Sequence, residues 1–154
     1  MSVEFQDFSV KVKSAIDEAA IAWLHEAAGE LTSQTQRNTP VDTGDLKKDW
    51  KYVVEESKLE ATVGNPQQNA IWTEFGTGEH ALNDNGRKGG WYIPEEKLSA
   101  KAKAKMANNR TTIKGKVFYF TKGRKPKRSL HNAFTKLKPK LIKRANEIFK
   151  ENLK

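Results

Sequence analysis

The chain has 154 residues, of which 36% are hydrophobic and 31% are charged. This length suits one domain with its own core. Because there is no cysteine, a disulfide framework and a thiolate metal site are excluded. No run of about 18 apolar residues is present, so we expect no membrane-spanning helix. The first residues also lack the basic and apolar pattern of a secretory signal.

The formal net charge of +9 hides a strong asymmetry along the chain. Residues 1–86 hold 7 Lys and Arg against 15 Asp and Glu, a net charge of −8. Residues 87–154 hold 21 against 4, a net charge of +17. This division predicts a basic face for a polyanion, or complementary ends that meet between copies of the protein. The alternative is that the lysines merely keep the surface solvated, and charge alone does not identify a partner.

The first third of the sequence predicts a long helix from about Phe8 to Gln36. Its apolar residues recur at spacings of three and four and therefore share one face. They are Phe8, Val12, Ile16, Ala19, Ala20, Trp23, Ala27 and Leu31. Pro40 is expected to end the helix, because the residue before a proline is pushed out of helical geometry. Asp42 is then placed to cap a short turn.

The middle of the chain predicts short antiparallel strands. Residues 50–55 and 59–63 alternate between two faces around a polar turn, which indicates a β-hairpin. We interpret the apolar segment 70–75 as the end of a strand, with Phe75 in the core and Gly76 at positive φ. Residues 76–90 contain glycine, asparagine and charge, which predicts a mobile loop. Trp91–Pro94 is expected to form another short strand.

The last third is more basic. Residues 97–116 are biased toward Lys, Ala and Asn, and this basic excursion is a solvated helix, a mobile segment or a region ordered by a partner. Val117–Phe120 is the most strand-like run of the chain. A second long helix is predicted from Leu130 onward, with a kink or restart at Pro139.

Together these elements predict an α+β fold in a single domain over residues 1–154. It has a long N-terminal helix, a small and mostly antiparallel sheet with a long mobile loop, and a long C-terminal helix.

No constellation of residues indicates catalysis. Asp42–Gly44 is the tripeptide of aspartic proteases, but those enzymes need a second copy and flanking hydrophobic strands. Here the tripeptide occurs once, after a helix, so we interpret it as a capping turn. His25, His80 and His131 are scattered, and no cysteine supports a metal site. The sequence therefore predicts no catalytic, cofactor or metal site.

The strongest basic run is residues 124–128, with Lys122 just before it. Such a run attracts phosphate through the release of counterions. No pattern of a base-reading motif accompanies it. Loose contact with phosphate is therefore expected, and sequence-specific DNA binding is not.

Four segments follow one another along the chain. They are Asn38–Leu46 after the first helix, Ala70–Thr77, Gly89–Pro94, and Gly123–Pro126 before the last helix. In this order they resemble the head–tail joining and tail-completion proteins of long-tailed bacteriophages, a family also described as minor tail components. Two features depart from the family: the segment after Pro126 lacks a second proline and aromatic residue, and Pro139 lies inside the last helix.

This resemblance implies a structural phage or prophage protein that is not an enzyme and has no cofactor. It implies a subunit of the neck between head and tail, or of the tail end, that assembles as a ring in the host cytoplasm and remains in the virion. The implied partners are copies of itself, neighbouring neck or tail proteins, and phage DNA in the channel through non-specific contact, with no membrane. The alternative is a small basic nucleic-acid-binding protein.

Two groups of residues are expected to carry these roles. Structural roles at turns and strand ends are expected for Pro40, Asp42, Thr43, Gly44, Leu46, Glu74, Phe75, Gly76, Thr77, Trp91 and Pro94. Gly44 in particular is expected to permit a close backbone approach. Contact with DNA or with the next subunit is expected for Lys101, Lys103, Lys105, Lys122, Arg124, Lys125, Lys127 and Arg128.

Overall fold

The computed structural model describes residues 9–41 and 44–152. The helices are α1 (Ser9–Asn38), α2 (Asp45–Lys48), α3 (Gln68–Phe75), α4 (Ala100–Lys105) and α5 (Ser129–Asn152). The strands are β1 (Lys51–Glu55), β2 (Glu60–Gly64), β3 (Trp91–Pro94), β4 (Arg110–Ile113) and β5 (Lys116–Thr121). The predicted α+β class is confirmed, with a long helix near each end and antiparallel strands between them.

The chain folds as two compact units. Unit 1 comprises Met1–Asn38, Asp49–Asn65 and Leu130–Lys154, and unit 2 comprises Thr39–Lys48 and Pro66–Ser129. Each unit has its own sheet, whereas a single small sheet was expected. The difference arises because alternating residues mark a strand but do not specify which other strand it pairs with.

Unit 1 contains α1, the β1–β2 hairpin and α5. The predicted hairpin is confirmed, with antiparallel pairing from Lys51 opposite Gly64 to Glu55 opposite Glu60. The hairpin packs on α1. On the α5 side, the indole Nε1 of Trp23 donates a hydrogen bond to the carbonyl oxygen of Leu141 at 3.0 Å.

The predicted apolar face of α1 is only partly buried. Ala19, which was predicted on this face, lies in the core, whereas Ala28, which was not predicted, is buried in place of its neighbour Ala27. Val12 and Ile16, expected on the same face, are exposed. Helical spacing places residues on a common face but does not show how far along the helix that face is covered.

Unit 2 contains a three-stranded antiparallel sheet in the order β3-β5-β4. The predicted strand at 117–120 is confirmed as part of β5, the central strand, and its Tyr119 is buried. The predicted strand Trp91–Pro94 is confirmed as β3, paired with β5. These β-branched and aromatic residues suit a central strand because both of its edges are paired.

The interpretation of residues 70–75 as a strand end was wrong. The segment lies in helix α3, and Phe75 is 48% exposed instead of buried in the core. The buried residues Ala70, Thr73 and Glu74 follow the three- and four-residue spacing of a helix. An apolar run this short does not distinguish a strand from a helix by its composition. The positive φ expected at Gly76 is confirmed at +76°.

Of the alternatives for residues 97–116, the solvated helix agrees with the structure over part of the segment, and residues 76–90, predicted as a loop, also contain a helical turn. Within 97–116, the structure places α4, β4 and the first residue of β5, and the Ser99 side chain caps α4 by accepting a hydrogen bond from the Ala102 amide at 3.2 Å. Within 76–90, a 3-10 turn spans Gly78–His80, and the Leu82 amide donates to the carbonyl oxygen of Phe75. The mobility of this loop stays a prediction. Among the residues that the structure describes, no helix is both long enough and apolar enough to cross a membrane.

The packing of α5 in unit 1 can be tested with two adjacent residues. Leu141 is 8% exposed and Ile142 is 51% exposed. We expect Leu141→Ala to lower the free energy of unfolding by about 3 kcal/mol, because it leaves a cavity in the core. Ile142→Ala removes a half-exposed side chain and should cost less than about 1 kcal/mol. Urea denaturation followed by circular dichroism measures both, and equal losses would contradict the assigned face of α5.

Candidate interaction groove

Residues 77–79 and 122–124 of unit 2 run side by side and exchange backbone hydrogen bonds. The Thr77 amide donates to the Arg124 carbonyl oxygen at 2.9 Å, and the Glu79 amide donates to the Lys122 carbonyl oxygen at 2.8 Å. The Arg124 amide in turn donates to the Thr77 hydroxyl at 2.9 Å. We refer to these bonds between residues 77–79 and 122–124 as the motif ladder. It joins the end of the second motif segment, at Thr77, to the start of the fourth, at Gly123.

The motif ladder is continued by side-chain and backbone contacts at its ends. The Lys122 ammonium lies 3.3 Å from a carboxylate oxygen of Glu79. Beyond the other end, the Lys127 amide donates to the carbonyl oxygen of Thr73 in α3 at 2.7 Å. These contacts therefore fix the position of the basic turn at residues 122–128 relative to the C-terminal end of α3.

Glycine is required where the two segments cross. A Cβ atom at Gly123 would overlap the carbonyl oxygen of Thr77, and its φ is +116°. A Cβ atom at Gly78 would overlap the carbonyl oxygen of Lys122, and its φ is +60°. Both the close approach and the left-handed backbone favour glycine at these two positions.

A groove of about 630 Å³ lies beside the motif ladder. This volume falls within the range of ligand-binding clefts. All four motif segments line it: Pro40 and Val41 from the first, Trp72 and Thr77 from the second, Trp91 and Ile93 from the third, and Gly123 and Arg124 from the fourth. Residues 97–116, the predicted basic excursion, supply another wall. Its lining residues are Leu98, Lys101, Ala102, Lys105, Met106 and Asn109. Segments dispersed over more than 80 residues thus meet at one surface feature.

The charged side chains that line the groove are all cationic. They are Lys101, Lys105 and Arg124, and the lining contains no carboxylate. The Lys101 ammonium donates to the carbonyl oxygen of Val41 at 2.7 Å. Among the residues described, no carboxylate lies within 4.0 Å of Lys105 or Arg124. The groove therefore combines an apolar wall with a positive rim.

The surplus positive charge of the chain belongs to unit 2. Unit 1 has 12 Lys and Arg against 12 Asp and Glu, whereas unit 2 has 16 against 7, a net charge of +9. The asymmetry between the two halves of the sequence is therefore neutralised within unit 1 and remains only in unit 2.

Ion pairs between α1 and α5 bring opposite charges of unit 1 into contact. Arg144 donates to Glu26 at 3.0 Å, and Lys140 pairs with Glu30. The hydrogen bond from the Arg144 guanidinium to Glu26, with the charge of that carboxylate, raises the pKa of Arg144 above its ordinary value. Acidic residues of the first half thus meet basic residues of the second half inside one chain.

The predicted motif residues divide into two groups. Pro40, Thr77 and Trp91 line the groove, whereas Leu46, Glu74, Phe75, Gly76 and Pro94 do not. Asp42 and Thr43, with the predicted cap, lie outside the described residues. Gly44 has a φ of +96°, and no atom of the described residues lies within 4 Å of an added Cβ, so the described part of the chain does not show the expected close backbone approach there. Its backbone conformation is a sufficient reason for glycine.

The predicted basic residues do not form one patch at the groove. Only Lys101, Lys105 and Arg124 line it. The ammonium of Lys103 lies 4.0 Å from a carboxylate oxygen of Glu95. The ammonium of Lys122 is paired with the carboxylate of Glu79 at the motif ladder. The remaining predicted residues, Lys125, Lys127 and Arg128, are not among the lining residues.

Several apolar residues of the groove were not chosen from the sequence. They include Val41, Trp72, Ile93, Leu98 and Met106. Leu98 and Met106 could have been found from the sequence, because with Ala102 they recur every four residues around α4. The described residues contain no group of three or more His, Cys, Asp or Glu side chains placed to hold a metal ion.

Residues 4–76, just under half of the chain, match a protein-family model described as "Bacteriophage HK97-gp10, putative tail-component". The match confirms the resemblance to phage head–tail and tail proteins that the sequence predicts. It includes the first motif segment and nearly all of the second, whereas the third and fourth lie beyond it. Comparison with curated proteins and with solved structures gives no match.

The requirement for glycine in the motif ladder can be tested against a matched glycine. Gly115 has a φ of +76° and no atom within 4 Å of an added Cβ, so Gly115→Ala should cost about 1 kcal/mol for the backbone strain alone. Gly123→Ala adds a steric overlap with Thr77 and should cost about 3 kcal/mol or more. Thermal denaturation measures the difference. Equal losses for the two variants would show that the close crossing at Gly123 does not constrain the fold.

Proposed function

We propose that the protein is a structural subunit of the phage neck or tail end, which assembles as a ring during virion morphogenesis. The observation that carries the proposal is the match of residues 4–76 to a family of phage tail components. A tail component is a part of the virion, which supports a role without catalysis. The order of the four motif segments, and their convergence on one groove, support the same proposal.

Exposed apolar side chains on two helices support assembly with other subunits. On α1, Val12 and Ile16 are one helical turn apart and both are exposed. On α3, Ile71 and Phe75 are one helical turn apart and both are exposed. Apolar groups grouped in this way on a helix are typical of surfaces that pack against another protein. Each group suits the interface between neighbouring subunits of a ring.

The surplus charge of unit 2 supports a second contact, with DNA in the channel. Its net charge of +9 is available for loose attraction to phosphate. The same observation favours the alternative function, a small basic nucleic-acid-binding protein. The two functions differ in how tightly, and in which oligomeric state, the protein binds DNA.

Deletion of the gene from the phage that carries it tests the structural role. We expect the deletion to yield defective particles, because a missing neck or tail subunit leaves the joint incomplete. Expression of the wild-type chain in trans should restore infectious particles, and electron microscopy of the lysate shows which structure is missing. Complete and infectious virions without this protein would overturn the proposal.

Solution measurements separate the assembly function from the nucleic-acid-binding alternative. We expect oligomers by size-exclusion chromatography with light scattering, alone or on addition of a neighbouring neck or tail protein. A labelled 30-base-pair DNA duplex should bind weakly in fluorescence anisotropy. A monomer that binds this duplex tightly, with log K falling by about 0.9 per phosphate contact for each unit of log salt, would favour the alternative.

A further inference from the structure

We propose that the groove beside the motif ladder binds an extended acidic peptide segment that carries a bulky apolar side chain. The groove and its chemistry are independent of any assignment to a phage. The source of the segment, a neighbouring polypeptide in the assembled neck or tail, rests on the proposed function.

The apolar wall defines the first requirement of the ligand. Val41, Ile93, Leu98 and Met106 contribute aliphatic or thioether side chains to the groove. Val41 is half-exposed, so this surface is open to solvent in the isolated chain. A side chain of phenylalanine or leucine size that covers this surface would be removed from water, which favours binding. The ligand therefore needs an apolar anchor.

The cationic rim defines the second requirement. Lys101 and Lys105 are one turn apart on α4 and so lie on the same face of that helix. Arg124 lines the groove from the motif ladder. Lys101 is held by the carbonyl oxygen of Val41. Because no carboxylate among the described residues lines the groove, the charges of Lys105 and Arg124 are left to a ligand or to solvent counterions. Charge complementarity favours a ligand with carboxylates on either side of its apolar anchor.

A peptide fits the groove better than a nucleic acid. A DNA duplex is too wide to enter a groove of about 630 Å³, so it would contact only the rim. A single strand would need open aromatic faces on which bases stack. The Arg87 guanidinium lies 5.6 Å from the centroid of the Trp91 ring, so this tryptophan is already engaged by a cation. Among the described lining residues this leaves one other aromatic side chain, Trp72, which is 43% exposed, and successive bases need more than one such face. An apolar side chain flanked by carboxylates uses both the wall and the rim.

The test uses the full chain and a fluorescein-labelled nonapeptide in which glutamate alternates with phenylalanine. Fluorescence anisotropy measures its dissociation constant. Replacing phenylalanine by serine should weaken binding by at least about tenfold, because the anchor is lost. A peptide with lysine in place of glutamate should not bind. Binding of the serine peptide as tight as that of the phenylalanine peptide would overturn the proposal.

Matched protein variants locate the binding site. Lys105→Glu with Arg124→Glu reverses two rim charges and should weaken binding of the phenylalanine peptide by at least about tenfold. Lys114→Glu with Lys116→Glu makes the same charge change at exposed residues that do not line the groove, and should have little effect. Equal weakening by the two pairs would show that general charge, and not the groove, holds the peptide.

Val41→Ser tests the apolar wall separately. It should weaken binding of the phenylalanine peptide and leave the serine peptide unchanged, and an unchanged affinity for both would overturn the groove assignment. Circular dichroism and thermal denaturation confirm that each variant is folded. If a labelled 20-nucleotide single strand bound at the groove and competed with the peptide, the site would be assigned to nucleic acid instead. Failure of all peptides to bind would overturn this inference, whereas the phage deletion tests the proposed function on its own.

Discussion

The backbone hydrogen bonds of the motif ladder fix the distance between the end of α3 and the turn that leads to α5. That distance is short enough to exclude any side chain at Gly78 and Gly123. The ladder forms one side of the groove, and the segments that it joins are more than 40 residues apart. The groove is consequently a product of tertiary structure. The motif segments therefore determine largely how two stretches of backbone cross. They supply no reacting group.

The two units differ in net charge, and ion pairs are part of the structure of unit 1. In unit 1, Glu26 and Glu30 are one turn apart on α1, and their partners Arg144 and Lys140 are one turn apart on α5 in the reverse order. The two helices are therefore antiparallel, and the pairs favour one register between them. Exposed pairs of this kind contribute little to stability. Because unit 1 as a whole has equal numbers of acidic and basic residues, the attraction of this chain for anions is concentrated in unit 2.

The α+β class, both long helices, the hairpin and the central strand could be predicted because each has a periodic pattern or a strong local composition. Segment 70–75 could not, because an apolar run of six residues suits either a strand or a short helix. The separation of the strands into two sheets depends on pairing between distant segments, which local patterns do not encode. For the site, the cations at Lys101, Lys105 and Arg124 were named from composition. Their joint position with Val41 and Ile93 depends on the motif ladder, which no spacing in the sequence reveals.

The division of the chain into units also bears on the order in which they can form during synthesis. Unit 2 is built from residues 39–48 and 66–129, all of which precede α5. Unit 1 needs α5 to cover α1, and its ion pair between Glu26 and Arg144 spans 118 positions. While the ribosome is still adding residues after 129, unit 2 can already fold, but α1 is covered by the hairpin alone and its side toward α5 is still open. A chaperone that recognises nascent apolar helices would therefore meet α1 for longer than any other helix of this protein.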